Sequence, residues 1–162
     1  MERFYQKTAL FIVTILIFSL SQAANRVPQL IITTDLQETA QTASKKNLLI
    51  ILYAAYVDCT YCALLEEEIL LPMLIDDSYD DKILIRKIMI DDDDDNIISF
   101  SGKPATIEQL NAHYQMDFAP TLLFLDPDGN EIAKRMVGIN TPELYAAYLD
   151  NNIKHALRTI RE

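Results

Sequence analysis

The chain contains two cysteines, which lie three residues apart in the segment Cys59-Thr60-Tyr61-Cys62. An apolar run from Leu48 to Tyr56 precedes them and predicts a central strand that is covered on both faces. Residues 63–71, which follow them, have the pattern of a helix. Both thiols therefore belong to a strand-to-helix turn, and any fold of this chain has to provide that turn.

Two cysteines with this spacing at the start of a helix can form a disulfide across the first turn. The positive end of the helix dipole also stabilises the thiolate of the first cysteine, Cys59. This combination favours thiol–disulfide exchange. An inert structural disulfide and a metal site are the alternatives. A disulfide between Cys59 and Cys62 closes almost no loop, however, so it would restrain the unfolded chain very little.

The amino-terminal segment has the three-part layout of a secretory signal. Arg3 and Lys7 give it a positive start, residues 8–20 form an apolar core, and Ser21-Gln22-Ala23 offers small residues for cleavage. The apolar core is shorter than the roughly 20 residues that span a bilayer comfortably. We therefore predict a cleaved signal peptide and export to the periplasm. An uncleaved signal would instead leave the protein anchored to the membrane.

We therefore divide the chain into three predicted segments, which are a signal peptide over 1–23, a tether over 24–29 and one domain over 30–162. A length of 162 residues allows one ordinary domain with a sizeable core. The formal net charge is -10, which argues against nucleic acid as a partner, because phosphate binding needs clustered lysines and arginines. After signal cleavage we expect a monomer without stable membrane association.

Two further features raise the question of a metal. The run Asp91–Asp95 could attract calcium, but it lacks the alternating ligands, the glycine and the distant glutamate of a calcium loop. We interpret it as a solvated loop. The two histidines, His113 and His155, have no zinc-finger spacing relative to the cysteines. We therefore predict no metal site and no cofactor.

Local patterns predict the order of the secondary-structure elements. Asp35 and Thr106 are expected to cap two helices, Pro72 to end or kink the helix that follows the cysteines, and residues 96–104 to form an extended loop. The predicted strands are 48–56, 83–90, 121–125 and 131–137, the last two joined by a tight turn, and a final helix starts at Pro142. This order predicts an α/β fold with a mixed central sheet of four to five strands and helices on both faces.

The chain resembles thioredoxin-fold proteins over roughly residues 30–157. The resemblance depends on Cys59-Thr60-Tyr61-Cys62 after the central strand and on Ala119-Pro120-Thr121 before the last hairpin. The turn Asp126-Pro127-Asp128-Gly129 and the helix after Gly138 complete it. Within this superfamily the chain is most similar to exported bacterial thioredoxin-like proteins, including the one associated with sulfur-oxidation operons.

The resemblance implies a role for each matching residue. Cys59 corresponds to the exposed attacking cysteine, and Cys62 to the buried resolving cysteine. Pro120 matches a cis-proline beside the disulfide, and the preceding Ala119 can offer its backbone to an extended substrate, next to Thr121. Tyr61 could contact the substrate or tune the redox potential, or it could simply cover the disulfide. The implied partners are protein or small-molecule disulfides and dithiols, with a membrane thiol donor as the electron source.

The chain departs from the family pattern at three positions. Asp58 replaces the usual tryptophan before the first cysteine, and its charge should disfavour the thiolate of Cys59. Tyr53 occupies the place of the family's buried acid on the central strand. Glu66, four residues after Cys62, is the candidate replacement as an acid or base for that thiol. Alternatively, Glu66 is a solvated member of the run Glu66–Glu68.

These observations together predict a periplasmic thiol–disulfide oxidoreductase that reduces protein disulfides through the Cys59/Cys62 dithiol. A disulfide oxidase or isomerase is one alternative, since the direction of electron flow depends on a potential that the sequence does not contain. A non-catalytic copper-binding or interaction protein on the same fold is the other, since soft thiolates suit Cu(I).

Overall fold

The structure is a computed structural model that describes residues 28–92 and 96–161. Helix α1 (Leu36–Lys46) is followed by strand β1 (Leu49–Ala55). A helical segment follows the cysteines and consists of α2 (Thr60–Leu65), a π-helical turn (Glu66–Leu70) and α3 (Leu71–Met73). The remaining elements are a 3-10 turn (Asp77–Tyr79), β2 (Ile83–Met89), β3 (Asn96–Ile98), β4 (Pro104–Thr106), α4 (Ile107–Tyr114), β5 (Thr121–Leu125), β6 (Glu131–Val137) and α5 (Pro142–Arg161).

Four strands form the central sheet in the order β2-β1-β5-β6. Strand β1 pairs with β2 in parallel and with β5 antiparallel, and β5 pairs with β6 antiparallel. This confirms the predicted mixed sheet of an α/β fold. Strand β1 has a partner on each side, and all seven of its residues are buried.

The core lies on both faces of β1. Leu49, Ile51 and Tyr53 pack on one face, with residues of the helical segment after the cysteines and of α5. Ile50 and Leu52 pack on the other, with residues of α1 and α4. The alternation of side chains along a strand produces this division, and the continuous apolar run supplies both faces. Helices on both faces are therefore confirmed.

The extended loop predicted for residues 96–104 is wrong in part. Asn96–Ile98 and Pro104–Thr106 are two short antiparallel strands that form a separate sheet. The turn between them closes where the Ser99 amide donates to the Lys103 carbonyl. Ile97 is 1% exposed, so this apolar side chain anchors the hairpin to the core. The sequence around Ile97 is polar and therefore resembles a loop.

The ends of the helices largely follow the predicted signals. The Asp35 carboxylate accepts the Glu38 amide at 2.8 Å, and Thr106 with Gln109 forms a reciprocal capping box. The helix after the cysteines ends at Met73, one residue after Pro72, which confirms the predicted end near Pro72. It passes through the π-helical turn, in which the Leu71 amide donates to the Glu66 carbonyl, before reaching Pro72.

The predicted signal peptide (1–23) and the first part of the tether (24–27) lie outside the described residues. Within 28–92 and 96–161, none of the helices has the length and the apolar content to cross a bilayer.

The turn between β5 and β6 allows a test of the packing. Gly129 has a φ of 85°, and an added Cβ would lie 2.8 Å from the Phe100 ring and 2.9 Å from the Tyr114 hydroxyl. That hydroxyl donates to the Gly129 carbonyl at 2.8 Å. We expect Gly129→Ala to lower the free energy of unfolding by about 3 kcal/mol, measured by urea denaturation.

Gly138→Ala is the matched control. Gly138 has a φ of 64°, but its added Cβ would meet only the Asn140 side chain, at 3.9 Å. It should therefore lose only about 1 kcal/mol, from backbone strain alone. Equal losses for the two variants would contradict the packing around Gly129.

Candidate active site

Three chain segments meet at the edge of the sheet where β1 and β2 end. Beyond Ala55, the last residue of β1, the chain turns and enters α2 after Cys59. The amide of Ile90, just after β2, donates to the Ala55 carbonyl, and Thr121 at the start of β5 pairs with Ala54. The pairing of β1 with β2 and β5 thus brings the cysteines and residues 117–120, the proline loop, to one end of the molecule.

Cys59 and Cys62 form a disulfide, with a distance of 5.1 Å between their Cα atoms. Cys59 is partly exposed, whereas Cys62 is 3% exposed. Cys59 is also the N-cap of α2, since its Sγ accepts the Cys62 amide at 3.1 Å. Cys59 is therefore the more accessible of the two cysteines, as the predicted attacking and resolving roles require.

The proline loop is held by one hydrogen bond from the segment before the cysteines and one from the residue after β6. The Ala119–Pro120 peptide bond is cis. The Tyr56 hydroxyl, just before the cysteines, donates to the Asp117 carbonyl at 2.8 Å. The Gly138 amide donates to the Pro120 carbonyl at 2.8 Å. Ala119 packs against the same apolar cluster as Cys59. The loop is thus ordered beside the disulfide.

The predicted substrate-contacting residues differ in exposure. Ala119 is partly exposed and Tyr61 is 63% exposed, so the Tyr61 ring lies mostly in solvent and is available to a substrate. Thr121 is 2% exposed, and its hydroxyl donates to the Phe118 carbonyl at 2.7 Å. Its side chain supports the loop, so that only its backbone is left for a predicted contact with a substrate.

Glu66 is not solvated like its neighbours Glu67 and Glu68, which are exposed. Its side chain is only 22% exposed, and its Oε1 accepts from the Lys87 ammonium at 2.6 Å and from the Tyr53 hydroxyl at 2.9 Å. The Tyr53 hydroxyl also lies 3.3 Å from the Cys62 carbonyl oxygen. The Tyr53 hydroxyl therefore links the Glu66 carboxylate to the backbone of Cys62, which lies one helical turn earlier.

Tyr53 occupies the strand position at which the family has a buried acid. A carboxylate is still present beside it, because the Tyr53 hydroxyl donates to Glu66. Burial raises the pKa of Tyr53, and the hydrogen bond to Glu66 and the charge of Glu66 raise it further. The phenol therefore stays protonated at physiological pH and acts as a donor. The acidic group in this part of the core is supplied by the helix instead of the strand.

Sequence reasoning missed Lys87 and Tyr56. Lys87 is the register partner of Tyr53 across the β1–β2 pair, and its ammonium lies 5.7 Å from the centre of the Tyr53 ring. A lysine within the apolar run 83–90 was the available signal, because a charge on a buried strand needs a partner. Nothing in the local sequence indicates the role of Tyr56, since its partner Asp117 is distant along the chain.

Among the described residues, those considered for metal binding do not come together. Over the part of the chain that the structure describes, no group of three or more His, Cys, Asp or Glu side chains could hold a metal ion. His113 and His155 are exposed on α4 and α5. Of the aspartate run, residues 93–95 lie outside the described part. The Asp91 carboxylate accepts the Val57 amide at 3.0 Å and so supports the loop before Cys59.

Comparisons with known proteins agree with this fold. The family model of the thioredoxin-like domain matches residues 36–153. Mitochondrial thioredoxin 3 from Saccharomyces cerevisiae in its oxidized form is similar with a TM-score of 0.52 and 16% identity, covering 77% of this chain and 93% of that one. A poplar thioredoxin h is similar with a TM-score of 0.50 and 18% identity, covering 70% of this chain and 85% of that one.

The thioredoxin of Fasciola hepatica is similar with a TM-score of 0.50 and 16% identity, covering 78% of this chain and 99% of that one. At these identities the likeness is one of fold. No curated protein matches the chain in sequence. The family model covers most of the chain and includes both cysteines, which the structure joins. The chain therefore belongs to the thioredoxin-like domain family and is a thiol–disulfide oxidoreductase with Cys59 and Cys62 as its disulfide-forming pair.

Proposed function

We propose that this protein works in the periplasm and reduces protein disulfides. The observation that carries the proposal is the Cys59–Cys62 disulfide, with one partly exposed sulfur and one buried sulfur at the start of a helix. The periplasmic location is inferred from the signal-like residues 1–23. If that signal stays uncleaved, the same domain works from the membrane surface.

The reaction transfers two electrons from the enzyme dithiol to the substrate. The Cys59 thiolate attacks one sulfur of the substrate disulfide, forming a mixed disulfide and releasing the other substrate sulfur as a thiolate. Cys62 then loses its proton and attacks the Cys59 sulfur, which closes the enzyme disulfide and releases the second substrate thiol. An external thiol donor, proposed here to lie in the membrane, has to reduce the enzyme again.

The structure suggests how the two thiolates form. In the reduced enzyme, the Cys62 amide that donates to the Cys59 sulfur is in place to stabilise a Cys59 thiolate. Glu66 follows Cys62 by one helical turn and is held behind it by Tyr53 and Lys87. We assign Glu66 the task of accepting the Cys62 proton when the mixed disulfide is resolved.

The reducing direction is inferred from Asp58. A strong disulfide oxidant depends on a stabilised reduced state, in which the attacking thiolate is favoured. Asp58 is exposed directly before Cys59, and its negative charge opposes that thiolate. The equilibrium between the dithiol and the disulfide therefore shifts toward the oxidised enzyme, which makes the dithiol form a better electron donor.

Replacing each cysteine tests the catalytic roles. Cys59→Ser should lower the rate of insulin reduction by about 100-fold or more, because the attacking thiolate is lost. Cys62→Ser should keep the first attack but stop at the mixed disulfide, which non-reducing gel electrophoresis and mass spectrometry would detect. Parental rates in both variants would contradict a redox function, and trapping by Cys59→Ser in place of Cys62→Ser would reverse the two roles.

The equilibrium constant of the Cys59/Cys62 pair with glutathione tests the direction. We expect a reduction potential well below the roughly −120 mV of a strong oxidant. Asp58→Asn should make the pair more oxidising, since it removes a charge that opposes the thiolate. A potential near that of strong oxidants in the parent protein would overturn the reducing direction.

Replacing Glu66 tests its assignment to the resolving step. Glu66→Gln should slow the closure of the enzyme disulfide by about tenfold or more, since the proton acceptor is lost. Rapid quenching should then show the mixed disulfide accumulating, and the dependence of this step on pH should change. Glu67→Gln, at an exposed neighbouring position, is the matched control. Equal resolving rates in both variants would leave Glu66 with a structural role only.

A further inference from the structure

Three large apolar side chains near the disulfide lie mostly in solvent. Val57 and Phe118 are each 68% exposed, and Tyr61 is 63% exposed. Val57 comes two residues before Cys59, Tyr61 lies between the cysteines, and Phe118 comes two residues before Pro120. Single exposed apolar residues are ordinary, but a group of them around a reactive sulfur indicates an interaction surface.

The backbone that carries these side chains is held in place. The Val57 amide donates to the Asp91 carboxylate at 3.0 Å. The Phe118 carbonyl accepts the Thr121 hydroxyl at 2.7 Å, and the adjacent Asp117 carbonyl accepts the Tyr56 hydroxyl at 2.8 Å. The exposed side chains are therefore presented from fixed positions, which lowers the entropy that a partner has to overcome on binding.

The same segments carry negative charge. Asp58, Asp91 and Asp117 are exposed and lie next to Val57, at the end of β2 and next to Phe118, respectively. No lysine, arginine or histidine occurs in residues 55–65, 88–92 or 115–122. Lys87, the nearest basic residue in sequence, directs its ammonium to Glu66 in the core. The surface around Cys59 is thus apolar and acidic, and it attracts cations.

We propose that this surface, formed by Val57, Asp58, Tyr61, Asp91, Asp117 and Phe118, is a docking face for a cationic segment of a protein disulfide substrate. This inference rests on the proposed function and specifies its substrate class. The preferred substrate has an apolar or aromatic residue beside its cysteine, which packs on Tyr61 and Phe118. Lysines or arginines on either side of that cysteine then face the aspartates.

Charge separates this occupant from other partners. An anionic membrane or an acidic protein would be repelled by the aspartates. A second copy of the chain would bring the same three aspartates face to face, in a protein with a net charge of -10. A basic segment is attracted instead, which raises the rate of encounter before the thiolate attacks.

Matched peptide substrates test the proposal in the fully reduced protein. Two peptides with the same internal disulfide and the same flanking leucines carry either lysines or glutamates. At low salt, the second-order rate constant should be about tenfold higher for the lysine peptide. Because exposed charges are screened, this ratio should fall toward one at about 0.5 M salt. The ratio compares two substrates of one enzyme, so changes in the thiolate of Cys59 cancel.

Variants then locate the surface. Asp117→Asn should lower the lysine-to-glutamate ratio by about threefold, while Asp81→Asn should leave it unchanged. Asp81 is equally an exposed aspartate but lies before β2, at the opposite end of the sheet. Phe118→Ser should slow both peptides together without changing the ratio, because it removes apolar contact and no charge.

Reduction of 2-hydroxyethyl disulfide, which is small and uncharged, separates the two proposals. If the protein reduces it while the peptide ratio stays near one, the docking face is wrong and the proposed function stands. An equal loss of the ratio in Asp81→Asn and Asp117→Asn would also overturn the docking face, because net charge alone would then explain it. Failure to reduce any of the three disulfides overturns both proposals.

Discussion

The end of the molecule that carries the disulfide depends on one constraint. The buried hydroxyl group of Tyr53 needs a hydrogen-bond partner. Strand β1 is buried over its whole length, so a polar group on it finds no water and needs a partner within the protein. Glu66 supplies that partner from the helix of the cysteines, and Lys87 joins it from the register position beside Tyr53. One buried phenol thus connects β1, β2 and the helical segment directly behind Cys62.

In the family pattern the buried acid lies on the central strand, whereas here the acidic group, Glu66, lies on the helical segment after the cysteines. A carboxylate on β1 would place a charge on the central strand, whereas the protonated phenol of Tyr53 adds none. The carboxylate of Glu66 is instead partly accessible and is neutralised by Lys87. Glu66 also begins the π-helical turn, a distortion often found at functional sites, through its bond to the Leu71 amide. The Glu66 carboxylate therefore binds Tyr53 and Lys87, while the Glu66 carbonyl accepts the hydrogen bond of the π-helical turn.

The sequence predicted most of the fold because its signals are local. The apolar run of β1, the caps at Asp35 and Thr106 and the hairpin turn each act over a few residues. The pairing of β3 with β4 was missed because three residues on each side, among serines and a glycine, resemble a loop until Ile97 finds the core. The cysteines and the position of Glu66 were predictable from spacing. Its partners were not, because Lys87 reaches it through the β1–β2 register, a property of the folded sheet.

The two sulfurs of the disulfide face different electrostatic surroundings. Behind Cys62, Glu66 and Lys87 form a close and largely buried ion pair, which salt screens weakly. In front of Cys59, the carboxylates of Asp58 and Asp117 are exposed, and salt screens their action on an approaching substrate strongly. The proposed proton transfer at Cys62 and the proposed recognition at Cys59 should therefore depend on ionic strength to different extents. On these proposals the resolving step at Cys62 varies little with salt, whereas the choice of substrate at Cys59 varies strongly.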